Sequence, residues 1–247
     1  MFLNQIKLST VGSPKTAWSK KEWRKLAFPI GFLILIWVIH IVKVVGGYEL
    51  GLYFGLKPLS VPRISGILTS PLIHGDWGHL FGNTLSFAGL SFFLFYFYRK
   101  IALKSFFLIY FLTGIGVWLF GKETAFHIGA SGIIYGMAAL LFWTGVFRRN
   151  VRSIAISLVV LTLYSGLFYG FLPKARISYE SHIIGAIAGI FAAYYYKDEL
   201  EDAESAKPSQ PEGAKKFFLP RDIFAKTKYE RMREEQQRRL EEGDTDH

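Results

Sequence analysis

Apolar residues arrive in six long runs along this chain, at positions 27–45, 79–98, 105–120, 129–147, 154–171 and 181–196, parted by polar or charged connections. Runs of about 18 or more apolar residues with few charges predict membrane-spanning helices. The pattern therefore predicts an all-α membrane protein of six transmembrane helices, the third and sixth runs being the shortest. A large soluble helical protein is the competing reading, but these runs keep almost no polar face to meet water. The first 26 residues are polar and basic and lead straight into the first run. That is not the charged start, short apolar stretch and small-residue cleavage site of a signal peptide. The connection 46–78 is long and carries Leu52, Tyr53, Phe54, Leu56, Leu59, Ile64, Ile67, Leu68 and Trp77. It is too apolar for a solvated linker and is expected to lie partly in the outer membrane interface, where such residues are at home.

Charge sharpens the division. Residues 27–196 hold 16 of the 48 charged side chains, whereas 197–247 hold 25. The chain thus divides into a basic N-terminal segment (1–26), a six-helix domain (27–196) and a charged tail (197–247). Lys and Arg collect on the cytoplasmic side of a membrane protein. They cluster before the first run, at Arg99, Lys100 and Lys104, at Arg148, Arg149 and Arg152, and in the tail, whereas the opposite side has only Lys43, Lys57, Arg63, Lys122, Lys174 and Arg176. An even number of spans with both termini cytoplasmic is expected. The net charge of +10 then reads as the inner flank of a membrane protein touching anionic lipid, and no nucleic-acid motif accompanies it. In the tail, 197–212 reads as a linker and 222–242 as a solvated helix with Asp222 at its start. Phe217, Phe218, Leu219, Ile223 and Phe224 are able to dock it on the bilayer. The absence of cysteine excludes disulfides, thiolate metal sites and a cysteine nucleophile.

Ionisable residues inside spans are costly and are functional candidates by default. Here they are few: His40, His79 and His182, with Asn83 and Ser131 beside them and His74 and His127 in outer connections. At a rise of 1.5 Å per residue, Ser131 lies about 24 Å from the inner end of its span, His182 about 21 Å and Asn83 about 22 Å. Three polar groups from three helices thus share one level, in the outer part of a hydrocarbon core about 30 Å thick. His79 and Asn83 share a helix face, as do Ser131 and Tyr135. Gly132 with Gly136 and Gly185 with Gly189 form two G-xxx-G pairs that let membrane helices approach closely. If those faces meet, His182 comes within reach of Ser131. Serine beside histidine suggests nucleophilic catalysis with histidine as base. No acidic residue lies at that depth, which favours a dyad. Asn83, His79 and the unpaired backbone N–H of Ser131 are candidate oxyanion donors. By spacing nothing pairs with His40 or His127, which read as packing residues.

The strings His74-Gly-Asp-Trp-Gly-His79-Leu-Phe-Gly-Asn83, Gly129-Ala-Ser131-Gly-Ile-Ile-Tyr135-Gly and Ser181-His182-Ile-Ile-Gly185-Ala-Ile-Ala-Gly189 resemble the rhomboid family of intramembrane serine proteases, in family order across about 27–196. The resemblance implies a six-helix fold with a water-filled cavity, Ser131 as nucleophile and His182 as general base. It implies His79 and Asn83 in the oxyanion hole, Tyr135 stacked on His182, His74 as a structural or cavity-lining residue, and Gly129 leaving room at the site. It also implies that 46–78 is a membrane-embedded loop, that substrates are membrane proteins cut in or near a transmembrane segment, and that no metal or organic cofactor is used. The simple six-span form suggests a bacterial inner membrane. The chain departs from many members in having Pro62 before Arg63 where a Trp-Arg pair is common, and Gly82 where some carry a bulky residue before the Asn. Competing readings are an inactive relative, which usually lacks the Ser or His, a transporter, which usually shows repeats and midplane charges, and a scaffold acting through its tail.

Overall fold

The computed structural model describes residues 20–173, 178–202 and 227–243, all helix and connection. Most of the basic segment, Lys174, Arg176, Asp222, and Phe217 to Leu219 with Ile223 and Phe224, lie outside the described residues. The helices are α1 (Lys20–Gly46), α2 (Leu50–Phe54), α3 (Gly66–Thr69), α4 (Trp77–Phe97), α5 (Arg99–Phe120), α6 (Ser131–Arg148), α7 (Val151–Leu163), α8 (Tyr179–Tyr195) and α9 (Lys228–Gly243), with short 3-10 turns at Val61–Arg63, Ser70–Leu72 and Ser165–Phe171. The chain forms two units, 1–205 and 206–247.

Four helices among the described residues are long and apolar enough to cross a membrane: Leu26–Gly46, Trp77–Phe97, Arg99–Phe120 and Ser131–Arg148. The expected fifth run is broken: α7 and the turn Ser165–Phe171 are bent by 62°, and they make a fifth candidate only if taken as one span. The expected sixth run forms α8, whose 17 residues are shorter than the about 20 needed for a perpendicular crossing. The third run extends back to Arg99, so that Arg99, Lys100 and Lys104 lie within α5 rather than before it. Its charges marked where the apolar stretch begins, not where the helix does.

α6 is the central helix, with Gly132, Ile133, Ile134, Tyr135, Gly136 and Met137 consecutively buried. A helix apolar all round belongs inside a bundle, and α4, α5, α7 and α8 all pack on α6. Inside lipid, apolar side chains gain little by leaving one oily phase for another, so close packing of small residues must hold the helices together. The α6–α8 contact shows how. A Cβ on Gly185 would lie 2.0 Å from the Gly132 carbonyl oxygen, and one on Gly189 would lie 2.0 Å from that of Gly136. The two G-xxx-G faces meet backbone to backbone.

The 46–78 connection is folded onto the bundle. Leu56 exchanges two backbone hydrogen bonds with His127, at 3.0 and 2.8 Å. Tyr110 of α5 donates to the Leu68 carbonyl, Trp118 Nε1 donates to that of Ser60 at 3.3 Å, and Gly114 leaves room for Ile67. Arg63 donates to the Tyr53 carbonyl. Leu52, Tyr53, Leu59, Val61 and Leu68 remain exposed.

After α8, Glu201 is buried and its carboxylate accepts the Lys100 N–H at 2.7 Å, capping α5. Arg148 donates to the carbonyls of Tyr196 and Glu199 at 3.2 and 2.9 Å. In the second unit, α9 starts with a capping box: Thr227 N–H donates to Glu230 Oε2 at 2.7 Å, and Glu230 N–H donates to Thr227 Oγ1 at 3.3 Å. That reciprocal pair satisfies two helix-end donors.

Candidate active site

Three helix starts converge on one cavity of about 1090 Å³, lined among others by His79, Asn83, Ser131, Tyr135 and His182. Each start is fixed locally. Asp76 is in extended conformation and its carboxylate accepts the His79 N–H at 2.9 Å, the geometry of an acidic N-cap. That bond holds the Asp76 carboxyl below the usual carboxylate range. Ser131 opens α6, with no side-chain cap ahead of it. Ser178 caps α8, its hydroxyl accepting the Ser181 N–H at 3.4 Å.

His182 Nε2 lies 2.9 Å from Ser131 Oγ, and His182 Nδ1 lies 2.7 Å from the Gly170 carbonyl oxygen. A carbonyl can only accept, so Nδ1 carries the ring proton and Nε2 presents its lone pair to the serine hydroxyl. The Tyr135 ring is parallel to the imidazole at 4.1 Å, and its hydroxyl donates to the Leu167 carbonyl at 2.6 Å.

Opposite the pair, Asn83 Nδ2 is 2.9 Å from His74 Nε2. His74, in the connection before α4, is completely buried, and burial pushes its pKa down to about 3. Its ring is therefore neutral, and Nε2 accepts one N–H of the Asn83 amide while the other stays free to donate. His74 lies behind the cavity wall and orients Asn83 from there. Gly129 adopts φ +102°, in the left-handed region that favours glycine. A Cβ there would lie 2.5 Å from His79 Cε1 and 3.5 Å from Asn83 Nδ2, so the missing side chain makes the room that those two groups occupy.

The structure brings Ser131, His182, Tyr135, His79, Asn83 and Gly129 together around the cavity, with His74 bonded to Asn83 and Gly185 and Gly189 packed against Gly132 and Gly136 of α6. His40 does not line it and is buried edge-on against Trp77. His127 differs from its sequence reading as an unpaired packing residue: it lines the cavity and bonds Ser178. The spacing held a signal, since His127 precedes Ser131 by four residues and Ser178 precedes His182 by four. The Gly170 carbonyl left no such trace.

A rhomboid domain model matches residues 62–199. The chain belongs to the rhomboid family. That is a family of intramembrane serine proteases, and the matched segment of this rhomboid domain contains every residue described above at the cavity. An uncharacterised protein of Mycobacterium tuberculosis is 33% identical over 71% of this chain and 77% of its own length. A Mycobacterium leprae protein, also uncharacterised, is 29% identical over 69% and 73%.

Proposed function

We propose that this rhomboid is an intramembrane serine endopeptidase that cleaves transmembrane segments of membrane proteins through a Ser131–His182 dyad. The observation that carries the proposal is the 2.9 Å contact between Ser131 Oγ and His182 Nε2, with the Nδ1 proton held by the Gly170 carbonyl. Ser131 Oγ attacks the scissile carbonyl carbon while its proton passes to His182 Nε2. The positive charge then on the imidazole is stabilised through Nδ1–H and the carbonyl. His182 returns the proton to the leaving amine, and water repeats the sequence on the acyl-enzyme. His79, Asn83 and the Ser131 N–H supply the oxyanion donors, and no metal or organic cofactor takes part. A substrate helix must unwind to present its peptide bond, and a polar cavity supplies the water and the hydrogen bonds that lipid lacks.

The proposed topology has six crossings, with the bent α7 segment as the fifth and α8 as the sixth, and both termini in the cytoplasm of a bacterial inner membrane. The Lys and Arg clusters support it. Because the natural sequence has no cysteine, single introduced cysteines test the topology directly, with a membrane-impermeant maleimide expected to label position 57 and not position 149 in intact cells. Activity is tested by fluorophosphonate labelling of the detergent-purified protein. Labelling lost in both Ser131→Ala and His182→Ala supports the dyad, and a folded wild type that neither labels nor cuts a transmembrane substrate refutes it.

A further inference from the structure

The cavity contains a second serine–histidine contact. His127 Nδ1 is 2.5 Å from Ser178 Oγ, and His127 Nε2 is 3.3 Å from the Lys122 carbonyl oxygen. The carbonyl requires a proton on Nε2, so Nδ1 accepts the Ser178 hydroxyl proton. This pair mirrors Ser131–His182 with the two segments' roles exchanged. Its histidine precedes the α6 serine by four residues and its serine precedes the α8 histidine by four.

The mirror image does not make a second nucleophile. Ser178 Oγ is already the N-cap acceptor of α8, and it is also within 2.6 Å of the Ser181 hydroxyl. An attack by this oxygen would strip the first turn of α8 of its cap. His79 and Asn83 gather instead around Gly129, beside Ser131.

What the pair does is mechanical. Inward from the dyad, the α6 and α8 backbones are locked by the glycine contacts. That contact runs out as far as Gly132 against the Ser181 carbonyl, and the connections that lead into Ser131 and into α8 lie beyond it. The segment before Ser131 is anchored to the rest of the fold by the Leu56–His127 backbone pair and by Gly129 N–H donating to the Ser70 carbonyl at 2.8 Å. Neither bond reaches α8. We propose that His127 and Ser178 are positioning residues, a half-buried strut in the cavity wall that ties the segment carrying Ser131 to the N-cap of the helix carrying His182 and so holds the dyad at bonding distance. The proposal rests on the dyad reading given above.

The test uses the full-length protein in detergent and the fluorophosphonate labelling rate, with thermal midpoints recorded for each variant. His127→Phe and Ser178→Ala are each expected to slow labelling about tenfold or more, the scale set by sub-ångström misplacement of reacting groups. The double variant should be no slower than the worse single one, because each change already removes the same strut. His127→Asn, whose side-chain oxygen can take the place of Nδ1 as acceptor, should recover most of the rate. Wild-type rates in both single variants, multiplying effects in the double, or no recovery in His127→Asn would each overturn the proposal. Labelling that persists in Ser131→Ala would instead count against the dyad itself. A second readout needs no activity: in a Ser131→Ala background, the ¹⁵N signals of the His182 ring should shift on adding Ser178→Ala and stay put on adding His40→Phe. Unmoved His182 signals in the Ser178→Ala variant overturn the strut whatever the enzyme does.

Discussion

The rings of Tyr135 and His182 lie 4.1 Å apart and within 4° of parallel, while the tyrosine hydroxyl is fastened to the Leu167 carbonyl. The stack confines the imidazole on one face, and the Gly170 carbonyl fixes its rotation about the ring normal. Tyr135→Phe keeps the stack and leaves the Leu167 carbonyl short of a donor, so it should lower stability by about 1 kcal/mol with a small effect on labelling. Tyr135→Ala frees the ring and should lower kcat about 100-fold. Steady-state kinetics on a model transmembrane substrate separate the two, and equal loss in both variants would mean that the hydroxyl, not the stack, is what counts.

Much of this site was legible in the sequence because helices translate spacing into geometry. The shared depth of Asn83, Ser131 and His182 and the common face of His182, Gly185 and Gly189 required only the rise and pitch of a helix. The close α6–α8 approach followed from where glycine stood. Hydropathy served the span ends less well. It placed a single run over 154–171, where the chain bends by 62° between α7 and the following turn, and it started the third helix after Lys104, although an exposed lysine sits comfortably on the first turns of α5. The Gly170 carbonyl was invisible for a different reason: a backbone acceptor has no residue type. The His127–Ser178 contact had a trace in the sequence, one residue four places before Ser131 and the other four places before His182, but that spacing gains meaning only once Ser131 and His182 are paired.

Gly185 and Gly189 give a sharp stability test. An added Cβ meets a backbone carbonyl at 2.0 Å in both cases, and a backbone atom cannot swing aside as a side chain can. Gly189→Ala should therefore destabilise by about 1–3 kcal/mol or more through overpacking, and it should separate α8 from α6 enough to depress labelling. Gly31→Ala is the control. Nothing lies within 4 Å of its would-be Cβ, and alanine is better than glycine in a helix by up to about 1 kcal/mol. Thermal midpoints in detergent should fall for Gly189→Ala and hold or rise for Gly31→Ala. A Gly189→Ala midpoint equal to wild type would show that the helices do not depend on this approach.

Asp76 links the site to pH. Its carboxylate is held below the ordinary range chiefly because it accepts the His79 N–H. A folded pKa below the unfolded one means that the stabilisation is fully present above the ordinary carboxylate value and is lost as pH falls through the folded pKa. At neutral pH, Asp76→Ala should cost about 1 kcal/mol, the usual value of an N-cap. Asp76→Asn should cost little, since the amide oxygen caps as well. At a pH far enough below the ordinary carboxylate range to protonate the folded carboxyl too, wild type should lose its advantage over Asp76→Ala while Asp76→Asn keeps its own. If the wild-type advantage survived at that acidity, the cap would not depend on the charged carboxylate.

The end of the membrane domain can be located by truncation. Lys104–Glu199 and Lys100–Asp202 are both 2.7 Å pairs with exposed partners, and such surface pairs contribute little. The buried Glu201 carboxylate on the Lys100 N–H and the two carbonyls held by Arg148 are different. They join the segment after α8 to the start of α5 and the end of α6, on the far side of the bundle from the dyad. Ending the chain after Ser205 keeps all of these bonds, so labelling and thermal midpoint should match the full-length protein. Ending it after Tyr196 removes Glu201 and the Glu199 carbonyl and leaves Arg148 with less to hold. The midpoint should then fall by about 2–4 °C for each kcal/mol lost, while the labelling rate per folded molecule stays near wild type because the dyad and its supports are intact. A shorter protein as stable as the longer one would place the end of the domain at α8. A labelling rate that fell in step with the loss of residues 206–247 would give the tail a part in catalysis.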